Sequence, residues 1–146
     1  MTSPEASDIS PSRVDWAGGW SAFIFRSAGP LRVGPPPGPQ LGWFVRIRFK
    51  LSPNEERLAG LPRASDTTRV HQIADELREV AGRRCQMVAC AWGKARADFF
   101  FYAESAQVLT DWRRYLVTFH PYERFTSNVS EDAVHKWYKV LRDEAE

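Results

Sequence analysis

Two apolar runs within residues 84–102, RCQMVACAWGKARADFFFY, flank a Gly93-Lys94 pair, and the second closes on three phenylalanines and a tyrosine. Glycine at the first central position of a two-residue loop suits a type II′ turn, so the stretch reads as a β-hairpin. A loop of that length also sets the register, with Trp92 opposite Ala95, Cys90 opposite Ala97, Val88 opposite Phe99 and Gln86 opposite Phe101. Strand side chains alternate, so those residues share one largely apolar face. Cys85, Met87, Ala89, Ala91, Arg96, Asp98, Phe100 and Tyr102 fall on the other, which mixes charge with aromatic rings. By this reading Cys85 and Cys90 point to opposite faces and cannot bridge each other.

The clearest single strand is residues 43–51, WFVRIRFKL. Trp43, Val45, Ile47, Phe49 and Leu51 alternate with Phe44, Arg46, Arg48 and Lys50, so one face is apolar and the other carries three positive charges. The period changes over residues 66–81, where Val70, Ile73, Ala74, Leu77, Val80 and Ala81 form one helical stripe. Ser65 or Asp66 is positioned to cap that helix, and Gly82 sits where a left-handed C′ residue is expected. A second helix is predicted over residues 104–118, with Ser105 as its cap and His120-Pro121 as its stop. A short strand follows at 122–128, then a last helix capped by Ser130 with Val134, Trp137, Tyr138 and Leu141 as its apolar set.

From Trp43 the order is β-α-β-β-α-β and then a helix, which is the split β-α-β, or ferredoxin-like, pattern of an α+β protein. Two helices would cover one face of an antiparallel sheet, with strand 43–51 and the strand ending at Tyr102 side by side in its centre. Phe44, Arg46, Arg48 and Lys50 would then share the second face with Arg96, Asp98, Phe100 and Tyr102. That face is either open or covered by the N-terminal strand, residues 20–26, or by the last helix. The Pro- and Gly-rich stretch 27–42 and residues 52–64 read as loops. Residues 1–14 read as a disordered polar tail, and 15–146 as a single domain.

A net charge of +2 argues for no polyanionic partner by itself, although a local basic strip is another matter. Six tryptophans and nine phenylalanines point to an aromatic core or an aromatic binding surface. The N-terminal residues contain no apolar segment of the signal-peptide kind, and no run reaches bilayer length. Two unbridged cysteines fit a reducing compartment, so the expected location is the cytoplasm, with no membrane partner.

DFFFYA (residues 98–103), the following helix with Trp112, HPYERF (120–125) and WYKVL (137–141) together resemble the domain of unknown function 695 family. The resemblance spans residues 16–141. It implies an α+β fold and a relation to the B-type regulator of ribonuclease E activity, a small protein that binds and inhibits a nuclease. The expectation that follows is a non-catalytic protein-binding module, an inhibitor of a nuclease or the immunity partner of a bacterial toxin. The family supplies no catalytic residues to carry over.

No constellation of catalytic residues is legible. His71, His120 and His135 lack partners at metal-ligand spacing, and neither GxSxG nor HExxH occurs. No metal or cofactor is therefore expected, and the residues chosen as a binding surface are Phe44, Arg46, Arg48, Lys50, Arg96, Phe100 and Tyr102. Aromatic and arginine side chains together are typical of interface hot spots. A second reading is single-stranded nucleic acid, with the aromatics stacking bases and the cations holding phosphates. An unrecognised enzyme is a third. If the second face is covered, loops 28–42 and 52–65 become the alternative surface. A nuclease partner points instead to the acidic segments Asn54-Glu55-Glu56 and Asp143-Glu144-Ala145-Glu146.

Overall fold

The computed structural model describes residues 12–16, 20–24, 31–51, 64–93 and 96–145. The elements are β1 (Ser12–Trp16), β2 (Trp20–Ile24), β3 (Arg32–Val33), β4 (Trp43–Lys50), α1 (Ala64–Ala81), β5 (Cys85–Gly93), β6 (Arg96–Ala103), α2 (Gln107–Phe119), β7 (Arg124–Glu131) and α3 (Lys136–Ala145). It is a mixed α+β fold built on a five-stranded antiparallel sheet in the order β3-β5-β6-β4-β7. β1 and β2 pair with each other in a separate two-stranded sheet. Residues 12–14, expected in the tail, thus belong to a strand. The segment that lengthens the main sheet is β3 rather than the strand near Trp20.

The alternation in β4 decides the layering. Val45, Ile47 and Phe49 join Phe99, Phe101 and the stripes of α1 (Val70, Ile73, Leu77) and α2 (Val108, Trp112, Leu116) in the larger core. α1 and α2 therefore cover one face of the sheet. Trp112 packs on Phe101 at 4.6 Å between ring centroids, and its indole N–H donates to the Leu77 carbonyl at 2.7 Å. That bond joins α2 to α1 and satisfies the one polar atom that a buried tryptophan carries. Gly82, at φ +60°, ends α1 in the left-handed conformation that residues with a Cβ avoid, as its position after the stripe suggested.

The hairpin forms with a different register. Gly93 pairs with Arg96, Trp92 with Ala97 and Cys90 with Phe99, each opposed two residues later on β6 than expected. An even shift preserves alternation, so Trp92, Cys90, Ala97 and Phe99 still share a face. A bulge between Met87 and Ala89 then breaks it. The extra residue, Val88, turns to the second face, and Cys85 and Met87 move to the α1/α2 side together with Cys90. Cys85 and Cys90 thus lie on the same face, and both are free thiols.

Two helix starts also differ. α1 begins at Ala64, which places Asp66 in the first turn instead of before it. β7 runs to Glu131, so Ser130 is a buried strand residue and Asp132 caps α3 in its place. Val134 lies outside α3 and is exposed. Ser105 does receive the Gln107 amide at 3.3 Å, just ahead of α2.

Candidate functional site

The second face of the sheet divides into two halves, and the ladder sets them out as cross-strand rows. Tyr102, Phe44 and Ser130 form the first row, and Phe100, Arg46 and Asn128 the second. Asp98, Arg48 and Thr126 form the third, and Arg96, Lys50 and Arg124 the fourth. Side chains in a row stand about 4.5–5.5 Å apart at Cβ and interact directly. The face therefore grades from aromatic at one end to cationic at the other.

The aromatic half is covered by α3. Trp137, Tyr138 and Leu141 pack with Phe44, Phe100, Tyr102, Leu31 and Leu41 in a second core, and Phe44, Phe100 and Tyr102 are each 0% exposed. These three residues, chosen as surface anchors from sequence, belong to the interior. The helix is held by a buried polar network. Tyr102 donates its hydroxyl to Asp132 Oδ2 at 2.6 Å and accepts the Tyr138 amide at 2.9 Å. Asp132 also accepts the Lys136 and Trp137 amides at 2.9 and 3.0 Å. Burial, and then the bond to Asp132, push the Tyr102 phenol well above its ordinary range, so it stays a donor. Two further bonds close the edge of this core. The His135 ring donates from Nε2 to the Leu41 carbonyl at 2.8 Å, and Tyr138 Oη donates to the Gly34 carbonyl at 2.9 Å. Residues 31–41 are thereby tied down beside α3, and Gln86 holds the carbonyls of Pro35 and Pro36.

The cationic half is organised around Asp98, 2% exposed. Arg48 grips it with two parallel bonds, Nε to Oδ1 at 2.6 Å and Nη2 to Oδ2 at 3.0 Å. This bidentate geometry is the strongest form of the pair. Arg46 donates to Asn128 Oδ1 at 2.8 Å. Burial lowers the Arg46 guanidinium from its usual range and takes Arg96 down to about 10, with Asp98 opposing and the neighbouring arginines adding to the shift. Lys50 and Arg124 are exposed, and neither forms an ion pair among the described residues. Arg48 keeps a quarter of its side chain accessible. Of the seven residues selected from sequence, Arg46, Arg48, Lys50 and Arg96 are thus brought together, and Arg124 joins them from β7.

Titratable groups elsewhere are structural in their geometry. His71 packs at a tilt against Trp92 and edge-on against Phe99, at 5.2 and 5.5 Å between centroids. Glu76 accepts Tyr115 Oη at 2.6 Å and lies 2.7 Å from His120 Nε2, linking α1 to the end of α2. Those bonds, the Tyr115 one first, hold the Glu76 carboxyl below its ordinary range. A group depressed in the folded state contributes stability above its unfolded pKa and loses it as pH falls through the folded one. The wild type is therefore expected to melt above Glu76→Gln at neutral pH. That margin should vanish on acidification below the normal glutamate range, as read from thermal melts of both proteins across pH. Burial raises the Cys85 thiol to about 11 and also raises Cys90, so neither is a reactive thiolate at neutral pH. Among the described residues, no three His, Cys, Asp or Glu side chains converge as a metal site, and no helix is long and apolar enough to cross a membrane.

No family model, no curated protein and no solved structure matches the chain. The resemblance to the domain of unknown function 695 family rests on its four short segments alone. Sequence reading missed Asp132, Asn128 and Arg124. Asp132 lies four residues ahead of the first helical residue, outside the N-cap position, so the ordinary capping signal does not point to it. Arg124 was hidden because pairing of residues 124–131 with β4 depends on a non-local register. The acidic segment 54–56 and the loop 52–63 lie outside the described residues.

Proposed function

We propose that this chain is a non-catalytic, protein-binding regulatory module of the cytoplasm, and that its cationic half-face docks an acidic segment of its partner. The observation that carries the reading is the fourth row. Arg96, Lys50 and Arg124 stand directly opposite one another on three adjacent strands. Lys50 and Arg124, both exposed and without an ion pair among the described residues, are like charges directly opposite each other, a placement that opposes folding. Together with Arg48 they form a basic strip on a chain whose net charge is only +2. An opposing row of carboxylates would relieve the repulsion and be steered in by it. The partner, a toxin or another regulated protein, would meet this strip through its own acidic side chains.

Burial of Phe44, Phe100 and Tyr102 under α3 favours protein over single-stranded nucleic acid, because it removes those rings as a stacking platform for bases. The ferredoxin-like arrangement belongs to the same proposal. Its support is the order β7-β4-β6-β5, in which the first and third strands of the β-α-β-β-α-β unit are central neighbours. The family resemblance adds the expectation of a regulatory role.

A fluorescent polyglutamate peptide and an oligothymidylate of matched charge, titrated with the protein at low and moderate salt, test the reading by anisotropy. The peptide should bind better than the oligonucleotide, more weakly as salt rises. The double variant Lys50→Glu/Arg124→Glu should lose about tenfold in affinity. Equal binding by the variant, or no binding of the peptide to the wild type, overturns the proposal. Preference for the oligonucleotide overturns it in favour of nucleic acid.

A further inference from the structure

The two edges of the main sheet are treated differently. One ends in β3, a two-residue strand followed by Pro35, Pro36 and Pro37, the kind of short, proline-flanked edge that resists further pairing. The other is β7, eight residues long, and among the described residues no strand pairs with its outer side. β7 runs against β4 in unbroken register from Arg124 to Glu131. Between those end residues its sequence, FTSNVS, contains no charge, proline or glycine. Those six residues therefore carry none of the charges or breaks that keep an edge from recruiting another strand, although Arg113 of α2 donates to Ser127 Oγ at 3.1 and 2.9 Å.

We infer that the outer edge of β7 pairs antiparallel with β7 of a second copy of this chain, about a two-fold axis at Ser127. An axis on Ser127 sets Phe125 opposite Val129 of the partner copy and Thr126 opposite Asn128, each twice. The pattern of β7 is self-complementary in that register. Phe125 and Val129 are the half-buried apolar residues of this strand, and both pack against the α1/α2 core. Paired across the axis, they seal the ends of two cores against each other, while the polar Thr126 and Asn128 meet on the opposite face. Moving the axis to Asn128 sets Phe125 against Glu131 and loses this match. The two five-stranded sheets become one continuous sheet, and the α3-bearing faces of both copies lie on the same side. The inference stands on the edge and its pattern and does not depend on the acidic-partner reading.

Sedimentation of the wild type and two variants tests it. The wild type should be a dimer at micromolar concentration, and Ser127→Lys, which places two ammonium groups opposite each other on the axis, should weaken dimerisation at least tenfold. Ser127→Cys should form a disulfide-linked dimer on mild oxidation, because directly opposed strand positions have Cα atoms within bridging distance. Thr126→Cys should not, since it lies opposite Asn128 of the partner copy and its own counterpart is a diagonal neighbour about 7–8 Å away. The wild type, with its two free cysteines, is the oxidation control. A monomeric wild type, a Ser127→Lys variant that dimerises as well as the wild type, or equal cross-linking at 126 and 127 overturns the inference. If Ser127→Lys fails to fold, the cross-linking contrast decides alone. A monomer that instead captures an added β-strand peptide assigns the edge to a different occupant.

Discussion

Asp98→Ala is expected to destabilise the fold by about 3 kcal/mol. Asp98 is 2% exposed and carries the bidentate bond to Arg48, itself three-quarters buried at its side chain. It also opposes the burial penalty on Arg46 and Arg96. Its removal leaves three neighbouring guanidinium groups without the carboxylate that offsets their mutual repulsion. A buried ion pair contributes little net stability when intact, but loss of one partner exposes the full cost of the other. Asp98→Asn keeps much of the shape and one acceptor, so its loss should be smaller. Urea unfolding of the three proteins checks the order, wild type above Asn above Ala. Equal stability of Asp98→Ala and the wild type would show that the arginines are solvated and that the cluster is not a unit.

Asp132→Ala should cost a similar amount, about 3 kcal/mol, from two sources. The loss of the two amide bonds at the start of α3 is worth about 1 kcal/mol. The Tyr102 hydroxyl, left as a buried donor with no acceptor, adds about 1–3 kcal/mol. Because the same residue holds α3 over Phe44 and Phe100, the variant should also bind a hydrophobic dye that the wild type ignores. Tyr102→Phe removes the hydroxyl from the same network. The double variant should therefore lose less than the sum of the single losses, as expected for groups in direct contact. Additive losses would mean that the cap and the tyrosine act separately.

Local signals in the chain were reliable wherever one period dominated. The strict alternation of β4 placed Val45, Ile47 and Phe49 in the core, and the stripe Val70, Ile73, Leu77 did the same for α1. The hairpin was recognisable from its composition, but its register was not. Both the two-residue displacement and the bulge at Val88 depend on what packs on each side of β5. That bulge reversed the assignment of Cys85 and Met87, since one extra residue flips every side chain beyond it. The second face was the harder case. Phe44, Phe100 and Tyr102 alternate with apolar residues on the far side, a pattern that fits either an aromatic surface or a strand buried on both faces. Which it is depends on α3, whose start was hidden because β7 extends through Ser130 and leaves the capping role to Asp132. The cations were legible individually. Their alignment with Arg124 followed only from the pairing of β4 with β7.

Amide shifts of the isotopically labelled protein during titration with the polyglutamate peptide locate the binding surface directly. The largest changes should fall on Arg48, Lys50, Arg96, Thr126 and Arg124, with Phe44, Tyr102 and α3 left in place. Shifts concentrated instead around the exposed Phe119 and Tyr122, or no shifts at saturating peptide, would contradict a cationic docking face on this sheet.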